Sequence, residues 1–350
     1  MDKPRVIITS RLEQDLALSL TECAHDRLFI LTDDNTARLC WPVISGFIGL
    51  RHASLITIPA SDAHKDLTSL SHVWQELSRQ GATRHSCLIC LGGGMVTDLG
   101  GFAAATFKRG IPFINLPTTL LAMVDASVGG KTGINFLGLK NEIGVFRQAE
   151  FTLIHTPFLS TLDTPNLCSG YAEMLKHGLL SDDDTWAALL NFDLGAPDLD
   201  TLSRMVADSV AVKERIVMAD PLERGIRKAL NLGHTVGHAF ESWAMRHQQP
   251  ILHGYAVAYG LVCELYLSCL LTHFPTEKMR ATVAYIRDYY GKLPITCDDY
   301  PELLELMRHD KKNVAGSINF TLLGDVGNIR INQTATQACI EEALDFMREG

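Results

Sequence analysis

Leu88-Ile89-Cys90-Leu91-Gly92-Gly93-Gly94 is an unbroken apolar run that ends in three glycines. A short continuous apolar segment closed by a glycine turn fits a strand covered on both faces. Glycines placed directly after it let backbone N–H groups approach an anion such as a pyrophosphate, which the N-terminus of a following helix stabilises. Asp98 and a small-residue helix over residues 100–106 come next. The G-x-G-x-x-G fingerprint is absent, and three glycines also make an ordinary tight turn. What the turn does therefore depends on its neighbours.

Outward from it, residues 5–8, 27–32, 54–58, 86–91 and 113–116 read as strands. Residues 67–80 place Leu67, Leu70, Val73, Trp74 and Leu77 at helical spacing. Alternation of strand and helix predicts a mostly parallel sheet covered on both faces. Polar clusters follow two more of these strands, Thr32-Asp33-Asp34-Asn35 and Pro117-Thr118-Thr119. Open α/β sheets bind ligands at the carboxyl ends of their strands, so the three clusters together predict a cofactor site. From about Leu159 the strand signals nearly vanish and helical patterns take over, except for a late hairpin over residues 317–323 and 328–331. The chain accordingly divides into residues 1–155 and 156–350.

Composition narrows the classes. Hydrophobic residues at 47% and charged residues at 20% of 350 are those of a folded, water-soluble protein of two domains. An excess of 40 acidic over 31 basic residues argues against a nucleic-acid binder but leaves room for a small basic pocket. Residues 1–10 lack the pattern of a signal peptide. The longest apolar stretch, residues 256–271, carries Glu264 and is short for a bilayer, so it reads as a buried helix. No membrane partner is expected. Nine scattered cysteines suit reduced thiols in a cytoplasm. Cys87 and Cys90 form a C-x-x-C inside a strand-like run, where residues three apart point to opposite faces and cannot chelate together.

Two further stretches carry chemistry. Asp125-Ala126-Ser127-Val128-Gly129-Gly130-Lys131-Thr132, followed by Leu139-Lys140-Asn141, sets two lysines and an amide among glycines, a set able to hold phosphate or carboxylate groups. The P-loop frame fails at its first glycine, which excludes that class of nucleotide triphosphatase. In Asn231-Leu232-Gly233-His234-Thr235-Val236-Gly237-His238 two histidines four apart share one helix face. His253 follows in Leu252-His253-Gly254, and Glu173 lies in Gly170-Tyr171-Ala172-Glu173-Met174-Leu175-Lys176. Two imidazoles and one carboxylate describe a catalytic zinc site with an open position. Spacing leaves His238 and His253, and likewise Glu173 and Glu241, as alternatives.

Taken together, these segments resemble the 3-dehydroquinate synthase family over roughly residues 30–330. The most specific stretches are residues 92–98, 107–110, 116–141, 169–176 and 223–238, with His253-Gly254. The resemblance implies a dehydroquinate synthase-like fold: an α/β, Rossmann-like NAD-binding domain, then a mainly α-helical metal- and substrate-binding domain, with the active site in the cleft between them. It implies a cytoplasmic, homodimeric lyase of the shikimate pathway, converting 3-deoxy-D-arabino-heptulosonate 7-phosphate to 3-dehydroquinate and phosphate. The alternatives are another sugar phosphate cyclase, a metal-dependent polyol dehydrogenase, or a silent binding protein with a structural zinc.

Residue by residue, the resemblance makes Glu173, His234 and His253 the ligands of one divalent zinc or cobalt ion. It assigns NAD to Asp33, Asn35, Asp62, Lys65, Gly93, Gly94, Asp98, Thr118, Thr119, Lys131, Lys140, Phe158 and Thr161. The phosphorylated sugar-acid substrate and its chemistry fall to Asp125, Lys131, Asn141, Lys176, Lys213, Arg227, Asn231, His238 and Lys311 or Lys312, with Arg109 reaching the neighbouring subunit's site. Two departures from the family pattern are Tyr255 and Asp62, each standing where Glu is usual.

Overall fold

The computed structural model describes residues 5–137, 139–308 and 318–349. It consists of two compact units that divide between Asp163 and Thr164.

The first unit carries strands β1 (Val6–Ile8), β2 (Leu28–Asp33), β3 (Ser54–Ile58), β4 (Cys87–Gly92), β5 (Phe113–Pro117), β6 (Lys131–Phe136), β7 (Leu139–Phe146) and β8 (Phe151–Ile154). Its helices are α1 (Leu12–Glu22), α2 (Asp34–Leu39), α3 (Trp41–Ile44), α4 (Leu67–Arg79) and α5 (Gly94–Thr106). Six strands form one parallel sheet in the order β1-β8-β5-β4-β2-β3, while β6 and β7 pair with each other as an antiparallel hairpin. Every residue of β4 and β5 is buried, which is why they read as continuous apolar runs rather than alternating ones. Phe29 and Leu31, Ile56 and Ile58, Leu88 and Cys90 recur at every second position and join one apolar cluster with Leu70, Val73 and Leu77 of α4 and Val96, Leu99 and Phe102 of α5. Helix α4 begins where the Asp66 carboxylate accepts the Ser69 N–H at 2.8 Å. Leu70 is fully buried, so its truncation to Ala costs about 2–5 kcal/mol.

The topology fixes where a ligand belongs. Strands β2 and β4 are neighbours, yet the chain runs from β2 outward to β3 on one side and from β4 to β5 on the other. Their carboxyl ends therefore flank the point at which strand order reverses. Three features differ from the sequence reading. Helix α5 starts at Gly94 rather than at residue 100, β8 was not anticipated, and the lysine-rich stretch is a strand pair. The thiols of Cys87 and Cys90 are both buried and free on β4.

The second unit is helical: α6 (Thr164–Leu179), α7 (Asp183–Leu190), α8 (Leu199–Ala219), α9 (His234–Arg246), α10 (His253–Thr272), α11 (Thr276–Tyr290), α12 (Tyr300–Arg308) and α13 (Gln337–Glu349), with the hairpin β9 (Asn319–Asp325) and β10 (Asn328–Thr334). Helix α10 lies at its centre, packed by α6, α9, α11, α13 and β9. A helix surrounded in this way is apolar all round. Among the described residues α10 is the one helix long and apolar enough to cross a membrane, with mean hydropathy 1.5, and 72% of that stretch is buried inside the fold.

Its neighbours approach backbone to backbone. A Cβ at Gly260 would overlap the carbonyl oxygen of Gly233, and one at Gly254 would overlap that of Ser169. These glycines let α9 and α6 close onto α10, and the Gly254 N–H donates to Ser169 Oγ at 3.1 Å. Buried tyrosines tie the periphery: Tyr171, Tyr285 and Tyr290 each donate at 2.8 Å to a carbonyl, those of Leu189, Phe192 and Cys168.

Candidate active site

The glycine contacts place the first turns of α9 and α10 beside the middle of α6, and each of the three helices offers a metal-binding side chain there. His234 is the first residue of α9, His253 the first of α10, and Glu173 comes from α6. One ligand atom from each lies within 4.8 Å of the other two. His234 Nε2 and His253 Nε2 stand 3.3 and 3.4 Å from the same Glu173 oxygen, Oε1.

Proton bookkeeping makes this set informative. His234 Nδ1 lies 3.0 Å from the Leu232 carbonyl, which can only accept, so Nδ1 carries the proton and Nε2 presents a lone pair. His253 Nδ1 faces the Glu241 carboxylate at 3.5 Å and likewise donates, turning its Nε2 inward. Two lone pairs thus face a carboxylate oxygen, an arrangement that only a cation or an added proton relieves. Glu173 is 0% exposed, and neither of its oxygens receives a hydrogen bond of acceptable geometry, although the Lys176 ammonium forms an ion pair with Oε2. Two donors each about 2.0–2.1 Å from a tetrahedral ion stand about 3.4 Å apart, so the spacing fits zinc or cobalt held by two nitrogens and one oxygen.

The same competition sets the protonation of the site. Burial, with the charges of Lys176 and His238, pushes the His234 pKa down to about 4 against the pull of Glu173. Burial also opposes the charged form of His253, but the Glu173 and Glu241 carboxylates beside it outweigh burial and push that pKa up to about 10, so a proton on Nε2 competes with a cation for this place. Burial opposes ionisation of Glu173 too, yet Lys176 and His234 hold its carboxyl well below the usual range.

His238, one turn along α9, stacks edge-on to His234 with ring centroids 5.4 Å apart and lies 6.0 Å from the His253 ring. It stands beside the donor set rather than in it. Glu241, the alternative carboxylate, sits behind His253. Tyr255 packs edge-on against Tyr290 at 5.1 Å and hydrogen-bonds the Cys168 thiol.

The anion-binding candidates of this unit are buried cations. Lys176 is 1%, Lys213 on α8 6%, and Arg227 2% exposed. Asp220 shapes the turn that carries Arg227: its Oδ2 accepts the N–H groups of Gly225 at 2.6 Å and Arg227 at 3.1 Å. Arg227 Nη1 donates to the Pro221 carbonyl at 2.7 Å, and Asn231 donates to Glu223 Oε1 at 3.4 Å. The turn Ile226–Asn231 packs on α8. Lys311 and Lys312 lie outside the described residues.

In the first unit, Asp33 ends β2 and Gly93 leads into α5, on the two strands that flank the reversal of strand order. Gly93, the cap residue of α5, has no side chain to offer its first turn, which suits an anion at that helix N-terminus. The Asp33 carboxylate caps α2 instead, accepting the Thr36 N–H at 2.8 Å, and Asn35 is exposed in that helix's first turn. Thr118 is buried and its N–H donates to the Gly92 carbonyl at 3.0 Å, while Thr119 Oγ1 accepts the Ala122 N–H at 3.2 Å. Phe158 is buried, with its carbonyl accepting from Thr161 at 2.8 Å.

Lys65, Asp98 and Asn141, far apart in sequence, come together. The Lys65 ammonium is buried, paired with Asp98 and donating to Asn141 Oδ1 at 2.5 Å. Asp62 pairs with Lys140 at 3.2 Å. Asn135, which sequence reasoning missed, bridges both: its amide donates to the Asp62 carbonyl at 3.0 Å, and its Oδ1 accepts the Asn141 N–H at 2.9 Å. Asn141 holds φ 51°, a left-handed conformation that Asn tolerates and that a spare Asn in a strand pair hints at. Asp125 lies in a single π-helical turn, Ala122–Ala126, and Lys131 is exposed at the start of β6. Arg109 is exposed, with φ 69°, at the end of the short turn Phe107–Arg109.

Solved structures share the fold. A 2-epi-5-epi-valiolone synthase from Streptomyces hygroscopicus subsp. jinggangensis, solved with NAD+ and Zn2+, superposes with TM-score 0.87 at 24% identity, covering 99% of this chain and 97% of its own. A 2-deoxy-scyllo-inosose synthase, solved with carbaglucose-6-phosphate, NAD+ and Co2+, superposes with TM-score 0.85 at 21% identity, covering 99% and 96%. The chain shares the fold of these two synthases.

Sequence narrows this further. Residues 55–169 match the model of the 3-dehydroquinate synthase N-terminal domain, and residues 170–313 that of the C-terminal domain. A 3-dehydroquinate synthase of Parabacteroides distasonis is 53% identical over 349 residues, spanning 100% of this chain and 99% of the relative. One from Streptococcus pyogenes is 34% identical over 326 residues, spanning 92% and 90%. The chain belongs to the 3-dehydroquinate synthase family.

Proposed function

We propose that this protein is an NAD- and divalent-metal-dependent lyase that converts 3-deoxy-D-arabino-heptulosonate 7-phosphate to 3-dehydroquinate and inorganic phosphate, acting as a cytoplasmic homodimer. The observation that carries the proposal is the pair of imidazole lone pairs turned onto buried Glu173 beside the Lys176 ammonium, in a chain of this family. A bound metal would supply acidification of a substrate hydroxyl, and bound NAD+ would supply reversible oxidation of that carbon.

Glu173, His234 and His253 would hold the metal, with Glu241 fixing the tautomer of His253. The Gly93-Gly94 turn, Asp33 and the Lys65–Asp98 pair support nucleotide binding at the switch point. Lys131, Asn141, Lys176, Lys213, Arg227 and Asn231 supply donors and positive charge for the carboxylate and phosphate of the substrate. With that carbon oxidised, the neighbouring C–H would be acidic; its proton would pass to an oxygen of the phosphate, which would leave with the electron pair of its C–O bond. His238 would orient the leaving phosphate, and buried lysine and arginine charges stabilise it as it departs. Return of the hydride to the ketone, ring opening and intramolecular aldol closure would complete the carbocycle with no net redox change.

Purified, metal-loaded protein incubated with the heptulosonate phosphate and NAD+ should release one phosphate per product without accumulating NADH. A stoichiometric rise in nicotinamide absorbance would instead identify a polyol dehydrogenase. Faster phosphate release from a sugar phosphate lacking the carboxylate would identify a different cyclase.

A further inference from the structure

Helix α9 has an N-terminus that its own sequence does not satisfy. Its cap residue is Gly233, held at φ +78°, and no side chain of the flanking segment caps the first turn. The missing acceptor comes from another helix. Glu264, in the middle of α10 and 0% exposed, accepts the Gly233 N–H through Oε2 at 2.7 Å, and those of Thr235 and Val236 through Oε1 at 3.0 and 3.2 Å. The three donors bracket His234. An ionised carboxylate is costly inside a protein unless charge-assisted hydrogen bonds repay it, and backbone N–H groups at a helix N-terminus do so.

We propose that Glu264 is a positioning residue for the metal centre, holding the turn that aims His234 at Glu173 and locking α9 to the helix whose first residue is His253. This rests on the metal set proposed above. The carboxylate reaches across the same crossing at which Gly260 lets the backbones touch, so its bonds fix the sliding of α9 along α10 where the glycine contact fixes their separation. Sliding matters because the two histidines lie on different helices. An ångström of slip would move one Nε2 relative to the other, and metal affinity depends on both. Turning the His234 ring itself falls to the Leu232 carbonyl, whose place is set by the Gly233 conformation that Glu264 anchors.

The experiment compares Glu264→Leu, Glu264→Gln and Ser268→Ala as full-length protein loaded with Co2+. Ser268 is an equally buried polar residue of α10 that bonds the Glu264 carbonyl and the Leu323 N–H, so it controls for general loosening of the helix. Cobalt affinity by chelator competition and the visible spectrum of bound cobalt are the readouts, with NAD+ binding as a check on the other unit. Glu264→Leu should weaken cobalt binding by about 10–100-fold and alter the spectrum, and Glu264→Gln, which keeps one accepting oxygen, should fall between it and the native protein. Ser268→Ala should lower the melting temperature without moving the spectrum. If the Leu variant does not fold, the Gln variant decides alone. Native affinity and spectrum in the Glu264 variants, or an equal spectral change in Ser268→Ala, would overturn the proposal. A native protein that takes up no cobalt would remove the metal centre itself.

Discussion

The two units present their functional groups in opposite ways. In the first, candidates sit at strand ends, at the start of a helix and on a hairpin, where the sheet sets the backbone. In the second, the metal-site candidates project from the middle of α6 and the first turns of α9 and α10, helices whose backbones touch at glycine. A strand end can lose a contact and keep its place, whereas a helix crossing without side-chain spacers has no slack. Substitutions in the first unit should therefore be felt mainly as weaker binding, and those in the second as lost geometry.

The largest expected effect tests the ligand set itself. His253→Ala should lose bound zinc or cobalt and turnover while leaving NAD+ binding intact, and His238→Ala should keep the metal and lose turnover. Elemental analysis showing the reverse would restore the i, i+4 histidine pair as the chelate. Next comes the crossing. Gly260→Ala forces a methyl group into the Gly233 carbonyl and should cost about 3 kcal/mol in denaturant unfolding. Gly93→Ala, whose methyl would meet Thr119 Cγ2 at 3.0 Å, should leave the unfolding midpoint nearly unchanged and weaken NAD+ binding. Equal destabilisation by both would erase the contrast between the units.

Removing the buried ammonium in Lys65→Met leaves Asp98 and Asn141 without that partner, and should cost about 1–3 kcal/mol in unfolding of the first unit. Arg109 is exposed, so Arg109→Ala should change stability by less than about 0.5 kcal/mol. The proposed role in the partner's pocket nevertheless predicts a sharp fall in turnover. Mixing this variant with His238→Ala should then restore activity, because a mixed dimer has one pocket with both groups. Confirmed subunit exchange without recovery would show that Arg109 acts within its own chain.

The sequence was most readable where one local rule decided the outcome. β2 to β5 are apolar runs closed by polar or glycine turns, and each was placed within a residue or two at either end. β8 escaped because Phe151–Ile154 is too short to show a period. β7 is exposed along its whole length, so it has no alternation to read, and its lysines and glycines suggest a loop. Helix α5 was begun late because Gly100 and Gly101 argue against a helix interior by propensity. There the close approach of Cys90 and Thr132 overrides propensity, since a Cβ on either glycine would collide with them. In the site, the spacing His234 to His238 was visible, but which histidine faces Glu173 is settled by how α10 meets α9. Spacing carries no trace of that, and the proposed ligand set comes from the family resemblance. Asn135 left no local signal, and Glu241 and Glu264, visible as a candidate ligand and as a lone charge in an apolar run, showed nothing of their contacts, because each acts on a separate stretch of chain.

The separation of the three proposed ligands along the chain has a thermodynamic corollary. Glu173 and His234 close a loop of about 60 residues, a separation at which an unfolded chain brings them together only at an entropic cost. An ion that binds the assembled trio and not its scattered parts therefore stabilises the second unit by mass action, by about 2.7 kcal/mol at a hundred times its dissociation constant. Metal supply would then govern the lifetime of this unit as well as its chemistry, and starvation for the ion would be read first as proteolysis.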